Sequence, residues 1–197
     1  MRTKVLQLLC AVLAAGVFCV GARAQADAKQ ATKQATKQAE DKRAPIVRET
    51  ESNWKRAQKW TLDYIEAMPA AGMAFKPTSE VRSFAEQMLH LAFWNFGFVE
   101  VMGGKASPYG KKQETLESRA DMKTKAALRK VVEESYDTML ASLNGLDEAK
   151  LLEVVPFFGT KLTRLSALTV ALDHQTHHRG QTTVYLRLKG VTPPPEP

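Results

Sequence analysis

Four histidines hold most of the chemical potential of this 197-residue sequence. His174, His177 and His178 stand in one short string, and His90 lies far upstream. On a helix, His174 and His178 are one turn apart and differ by about 40° in direction, so both imidazoles can reach the same point. An i, i+4 pair joined by one histidine of a neighbouring helix presents three nitrogens to a divalent transition metal. A lone histidine such as His90 can equally be a core-edge imidazole satisfied by a hydrogen bond. An exposed histidine cluster is the main competitor for the set. Two or three imidazoles converging in a core, however, need a compensating partner, since an unsatisfied buried polar group costs about 1–3 kcal/mol.

Thiol chemistry is not expected, because the two cysteines, Cys10 and Cys19, lie in an apolar run near the start of the chain. Other metal architectures fail on spacing. No H-E-x-x-H is present. Glu86 and His90 are four apart, not three, and no second copy completes a di-iron pair. C-x-x-C-H is missing.

The elements that must carry the histidines can be read from periodicity and breakers. Trp54, Ala57, Trp60 or Thr61, Tyr64 and Met68 mark a first helix over about 46–68, stopped at Pro69. Ser83 with Glu86 forms a capping box that starts a second helix running to Met102. Its stripe is Phe84, Met88, Leu91, Asn95, Phe98 and Met102, with His90 beside it. A third helix is expected over about 117–143, then a short turn over 147–152 and an extended connector at 154–159. A fourth helix is expected over about 163–189, with Ala167, Ala171, His174, His178, Gln181, Tyr185 and Leu188 on its inward stripe. Four amphipathic helices without alternating strands predict an all-α, up-and-down type four-helix bundle, with the topology open.

The chain ends read differently from the middle. Arg2 and Lys4, the apolar run Val5 to Val20 and the A-x-A site Ala22-Arg23-Ala24 predict a cleaved signal peptide over 1–24. The apolar run is shorter than the roughly 20 residues of a membrane span, so no stable membrane anchor is expected after cleavage. The protein is thus expected to be exported, periplasmic or secreted. Residues 25–43 repeat ATKQ and contain no apolar residue larger than alanine, the composition of a polar, disordered tether. Residues 193–197 form a proline-rich tail, which leaves 44–192 as the folded domain. These ends also carry most of the formal +7 charge. Removing Arg2, Lys4 and Arg23 from 28 basic residues leaves 25 against 21 acidic. The folded segment is then nearly neutral and shows no basic, aromatic-interleaved patch, so nucleic acid is not an expected partner.

On Arg82-Ser83-Phe84-Ala85-Glu86-Gln87-Met88-Leu89-His90, on Asp173-His174-Gln175-Thr176-His177-His178-Arg179-Gly180-Gln181, and on Tyr185-Leu186-Arg187 before Gly190, the chain resembles the DinB/YfiT-like family of metal-binding four-helix proteins. This family is distinct from the DNA polymerase that shares the DinB name. The resemblance runs over about 46–195 and includes Pro156-Phe157-Phe158-Gly159. It implies a nickel, zinc or iron ion held by His90, His174 and His178. His177, Asp173, Gln181, Glu86 and Trp94 then fall in the second shell or at the rim. Arg179 is read as either functional or paired with a surface carboxylate. Two functions stay open: a metal-dependent transferase or hydrolase acting on a small molecule in a pocket lined by Phe93, Trp94 and Tyr185, or a non-enzymatic envelope stress or metal/ligand-binding protein. The known thiol-cofactor chemistry of the family is intracellular, which sits poorly with an export signal. An amphipathic bundle of this kind is compatible with a homodimer.

Overall fold

The computed structural model describes residues 44–105, 107–109 and 116–195. The expected signal peptide and tether lie outside the described residues. Five α-helices, two short 3-10 turns and one β-hairpin make up the described chain. They are α1 (Pro45–Ala67), α2 (Phe84–Val101), α3 (Lys125–Leu143), α4 (Glu148–Leu152), β1 (Val154–Phe157), β2 (Thr160–Thr163) and α5 (Arg164–Leu188).

Local sequence sets the ends. Pro45 opens α1, and Met68 turns extended in front of Pro69, as a residue before proline does. At the start of α2 the Ser83 hydroxyl accepts from the Glu86 N–H while Glu86 Oε2 accepts from the Ser83 N–H, so the expected capping box is present. Gly190, at φ 73°, closes α5: its N–H donates to the Arg187 carbonyl and that of Val191 to the Leu186 carbonyl. Helix α3 begins at Lys125, eight residues later than periodicity suggests. Thr124 caps it by accepting from Ala127, and the segment before it folds into a 3-10 turn at Ala120–Met122. Of the expected 154–159 connector, Val154–Phe157 is extended but forms one arm of a hairpin, with Val155 opposite Leu162 and Phe157 opposite Thr160, and Phe158-Gly159 is its turn.

Helices α1 and α2 each pack against both α3 and α5. The pairs α1–α2 and α3–α5 therefore lie across the diagonals of the bundle, and consecutive long helices are not always hairpin neighbours. Trp54, Phe84, Met88, Leu91, Leu128, Tyr136 and Met139 fill the centre and are fully buried. Leu188, expected on the inward stripe, is instead 59% exposed, because it falls in the last turn of α5 beyond its packed length.

Two chains of buried polar contacts cross this core. In one, Gln175 Nε2 of α5 donates to Asn95 Oδ1 of α2 at 2.8 Å, and Asn95 Nδ2 donates to Ser135 Oγ of α3 at 3.0 Å. All three residues are fully buried. In the other, Tyr136 Oη of α3 is 2.7 Å from Thr61 Oγ1 of α1, which also receives the Arg179 guanidinium of α5 at 3.4 Å. Arg179 is thus buried over the Trp60 ring and not paired with a surface carboxylate. Such bonds favour one rotation of each helix, because a turn of either partner strands a buried amide.

Replacing Asn95 with leucine is expected to cost about 2–3 kcal/mol, since it leaves Gln175 and Ser135 facing an apolar side chain. Asn95→Leu/Gln175→Leu is expected to cost less than the sum of its single changes. Urea denaturation of the four proteins measures this; a neutral Asn95→Leu would show that the amide ladder does not order the core.

Candidate metal centre

The locked faces of α2 and α5 bring His90, His174 and His178 together, with one candidate ligand atom from each lying within 4.8 Å of the others. His90 Nε2 and His174 Nε2 are 3.3 Å apart. The ring centroids of His90 and His178 are 4.3 Å apart, and those of His174 and His178 are 4.5 Å apart. His90 and His178 are buried and His174 is half-buried. The i, i+4 pair therefore meets the single histidine of α2 as the spacing predicts.

The far side of two rings is committed. His90 Nδ1 lies 2.8 Å from Glu117 Oε1. Glu117 also accepts from Arg82 Nε through Oε2 at 2.9 Å. Burial raises the Glu117 carboxyl, but the bonds from His90 and Arg82 outweigh it and hold the group below its ordinary value. A carboxylate only accepts, so His90 Nδ1 carries a proton, and Nε2 is the nitrogen that holds the lone pair in the neutral ring. His178 Nδ1 is 2.8 Å from Gln87 Oε1. The Gln87 amide nitrogen donates to Gln181 Oε1 at 2.8 Å, which fixes its oxygen toward His178. His178 Nδ1 is therefore the donor and its Nε2 is also left with a lone pair. His174 has no such support: its Nδ1 is buried without a partner among the described residues.

The remaining expected site residues divide. Gln181 braces Gln87 on one side and lies 2.7 Å from His177 Nε2 on the other, so that nitrogen of exposed His177 faces Gln181 and not the cluster. Trp94 stands edge-on to His90 and His174, with centroids 6.3 and 5.8 Å away. Asp173 is exposed. Glu86 serves the helix cap and pairs with Lys123 and Lys76. Partial burial pushes its carboxyl up, yet the Lys123 and Ser83 hydrogen bonds and the two lysine charges bring it down to about 2. Of the expected pocket wall, only Trp94 borders the histidines with partial exposure. Phe93 belongs to the core, and Tyr185 packs against Phe75 and Phe84 while donating to the Arg82 carbonyl. Glu117 and Gln87 are the residues that sequence reasoning missed. Gln87 could have been found as a buried amide one turn before His90. Nothing in the spacing points to Glu117, which reaches His90 from outside both histidine helices.

Burial, reinforced by the neighbouring histidines and Arg82, pushes His174 down to about 4 and His178 down to about 3. At neutral pH both are neutral, as metal coordination requires.

A helical bundle with three converging imidazoles is the class defined by this geometry. A profile of the DinB family matches residues 27–196, and the chain belongs to that family. Among its relatives is an uncharacterised Bacillus subtilis protein, YjoA, 32% identical over 124 residues that cover 60% of this chain and 75% of that protein. The solved structure of a DinB-like YjoA from B. subtilis superposes with a TM-score of 0.60 at 27% identity, covering 75% of this chain and 96% of that one. A DinB-like protein from Bacillus cereus gives a TM-score of 0.64 at 16% identity, covering 74% and 94%, and shares the fold.

The depressed histidines set a pH dependence for the metal-free protein. Above about pH 6.5 neither the folded nor the unfolded chain protonates them. Below it the unfolded chain takes up protons that the folded one refuses, so stability falls progressively from about 6.5 down toward 3. Denaturation in chelator at a series of pH values is expected to show this slope, and His174→Ala/His178→Ala is expected to flatten it. An unchanged slope in the double variant would contradict the assignment.

Proposed function

We propose that the protein is an exported divalent-metal-binding protein that holds one nickel, zinc or iron ion through His90, His174 and His178. The observation that carries this reading is the approach of His90 Nε2 to His174 Nε2 at 3.3 Å, while the opposite nitrogens of His90 and His178 are engaged by Glu117 and Gln87. Nitrogens bound to one ion at about 2.0–2.1 Å in a tetrahedron lie about 3.3–3.4 Å apart, so the pair already has a suitable separation. Imidazoles without thiolates suit zinc, nickel and iron alike. Export rests on the charge and apolar pattern of residues 1–24.

Three protein ligands are the pattern of a reactive site more than of a structural one, and a bound ion would supply Lewis-acid chemistry at its open position. This favours a transferase or hydrolase acting on a small molecule over a purely structural ion. The chain's own contribution is positional. Glu117 fixes the tautomer and tilt of His90, Gln87 fixes those of His178, and Arg82 and Gln181 hold these two in place.

Elemental analysis of protein stripped and refilled with zinc or nickel is expected to give about one ion per chain, falling to background in the His90/His174/His178 triple alanine variant. Glu117→Gln and Gln87→Leu are each expected to weaken metal affinity by about 10–100-fold with the fold retained. Stoichiometric metal in the triple variant would sink the assignment. Turnover of ester, amide or thiol-transfer substrates that is equal in wild type and triple variant would count against the enzyme reading.

A further inference from the structure

The tip of the β-hairpin breaks a local rule. Its two-residue turn, Phe158-Gly159, closes the Phe157–Thr160 pair with both residues at positive φ, 44° and 85°. This is the hairpin turn whose first position favours Asn, Asp or Gly, because a larger L-residue crowds its own backbone there. Here that position holds a phenylalanine, 61% exposed. The residue is therefore disfavoured twice, by its backbone and by its exposed apolar ring. Disfavoured local choices that persist tend to mark functional positions.

The ring's place gives that function a form. Phe158 packs edge-on against Trp94 at 5.3 Å and against Phe98 at 6.1 Å. Trp94 in turn borders His174 at 5.8 Å and His90 at 6.3 Å. The hairpin beneath is held firmly. Phe157 stacks on Phe98 at 5.9 Å, and at the base of the stem the Arg164 N–H donates to the Glu153 carbonyl while its guanidinium pairs with the Glu153 carboxylate. An aromatic surface, with Phe158 exposed and Trp94 partly so, thus adjoins the imidazole rings of His90 and His174.

We propose that Phe158 and Trp94 form a binding shelf for the aromatic ring of a small molecule whose other end carries a metal-binding oxygen or sulfur donor. This rests on the metal reading above and adds the class of ligand. The short span from shelf to imidazoles fits a ring one or two bonds from its donor group, not a long chain or a macromolecule. Trp94 and Phe158 supply faces and edges for offset or edge-to-face contact.

The test uses the zinc-loaded protein and two probes with the same donor, benzohydroxamate and acetohydroxamate, titrated by calorimetry. The wild type is expected to bind the aromatic probe about tenfold more tightly than the methyl one. Phe158→Asn, which installs a residue the turn favours, is expected to keep its zinc and to melt no lower than the wild type, yet to lose most of that preference. Equal affinity for the two probes in the wild type, no binding of either, or a preference unchanged in Phe158→Asn would overturn the proposal. A lower melting temperature for Phe158→Asn would also overturn it, by making the ring a structural one. So would a dimer that Phe158→Asn dissolves in sedimentation, since a second copy would then cover the ring. Zinc retained by the triple alanine variant would instead sink the metal reading, and the shelf with it, whatever Phe158→Asn does.

Discussion

The two ladders of buried side-chain hydrogen bonds set the geometry on which the site depends. One joins α3, α2 and α5 through Ser135, Asn95 and Gln175; the other joins α3, α1 and α5 through Tyr136, Thr61 and Arg179. Apolar packing alone tolerates small rotations of a helix, because one hydrophobic neighbour replaces another. A buried amide does not, since its partner must be at a fixed place. Gln175 is the residue next to His174, and Asn95 lies one turn and a residue beyond His90. The ladder that holds Gln175 to Asn95 therefore also sets where His174 and His178 stand opposite His90.

The site itself divides its polar groups between support and function. Glu117 and Gln87 turn the Nδ1 sides of His90 and His178 into donors, so the Nε2 lone pairs are left on the inside. Burial keeps His174 and His178 neutral well below pH 7. The metal-free protein carries two costs: below about pH 6.5 the folded chain excludes protons that the unfolded chain takes up, and His174 Nδ1 is left without a partner among the described residues. On the reading proposed above, a divalent cation held by the inward nitrogens would compete with those protons and offset the first cost. The same logic extends outward to Phe158, where an unfavourable backbone and an exposed ring coincide beside the cluster.

Much of this was legible in the sequence, and the parts that were not have a common cause. The helix starts at Phe84 and Arg164 and the stops at Met68 and Gly190 follow from caps and breakers close in sequence. The convergence of His90, His174 and His178 followed from periodicity. Glu117 and Gln87 were not read, because their roles depend on partners 27 and 91 residues away along the chain. Of the two readings of Arg179, a functional role or a surface carboxylate pair, the second fails for the same reason: Trp60 and Thr61 of α1 give it a buried seat. The late start of α3 reflects tertiary demand: residues 118–124 leave the α-helix, and Glu117 just before them meets His90.

X-ray absorption fine structure of zinc- or nickel-loaded protein reads whether three imidazoles from α2 and α5 bind one ion. Three imidazole nitrogens at about 2.0–2.1 Å completed by light exogenous ligands are expected. A first shell dominated by carboxylate oxygens, or one with a single imidazole, would contradict a three-histidine site.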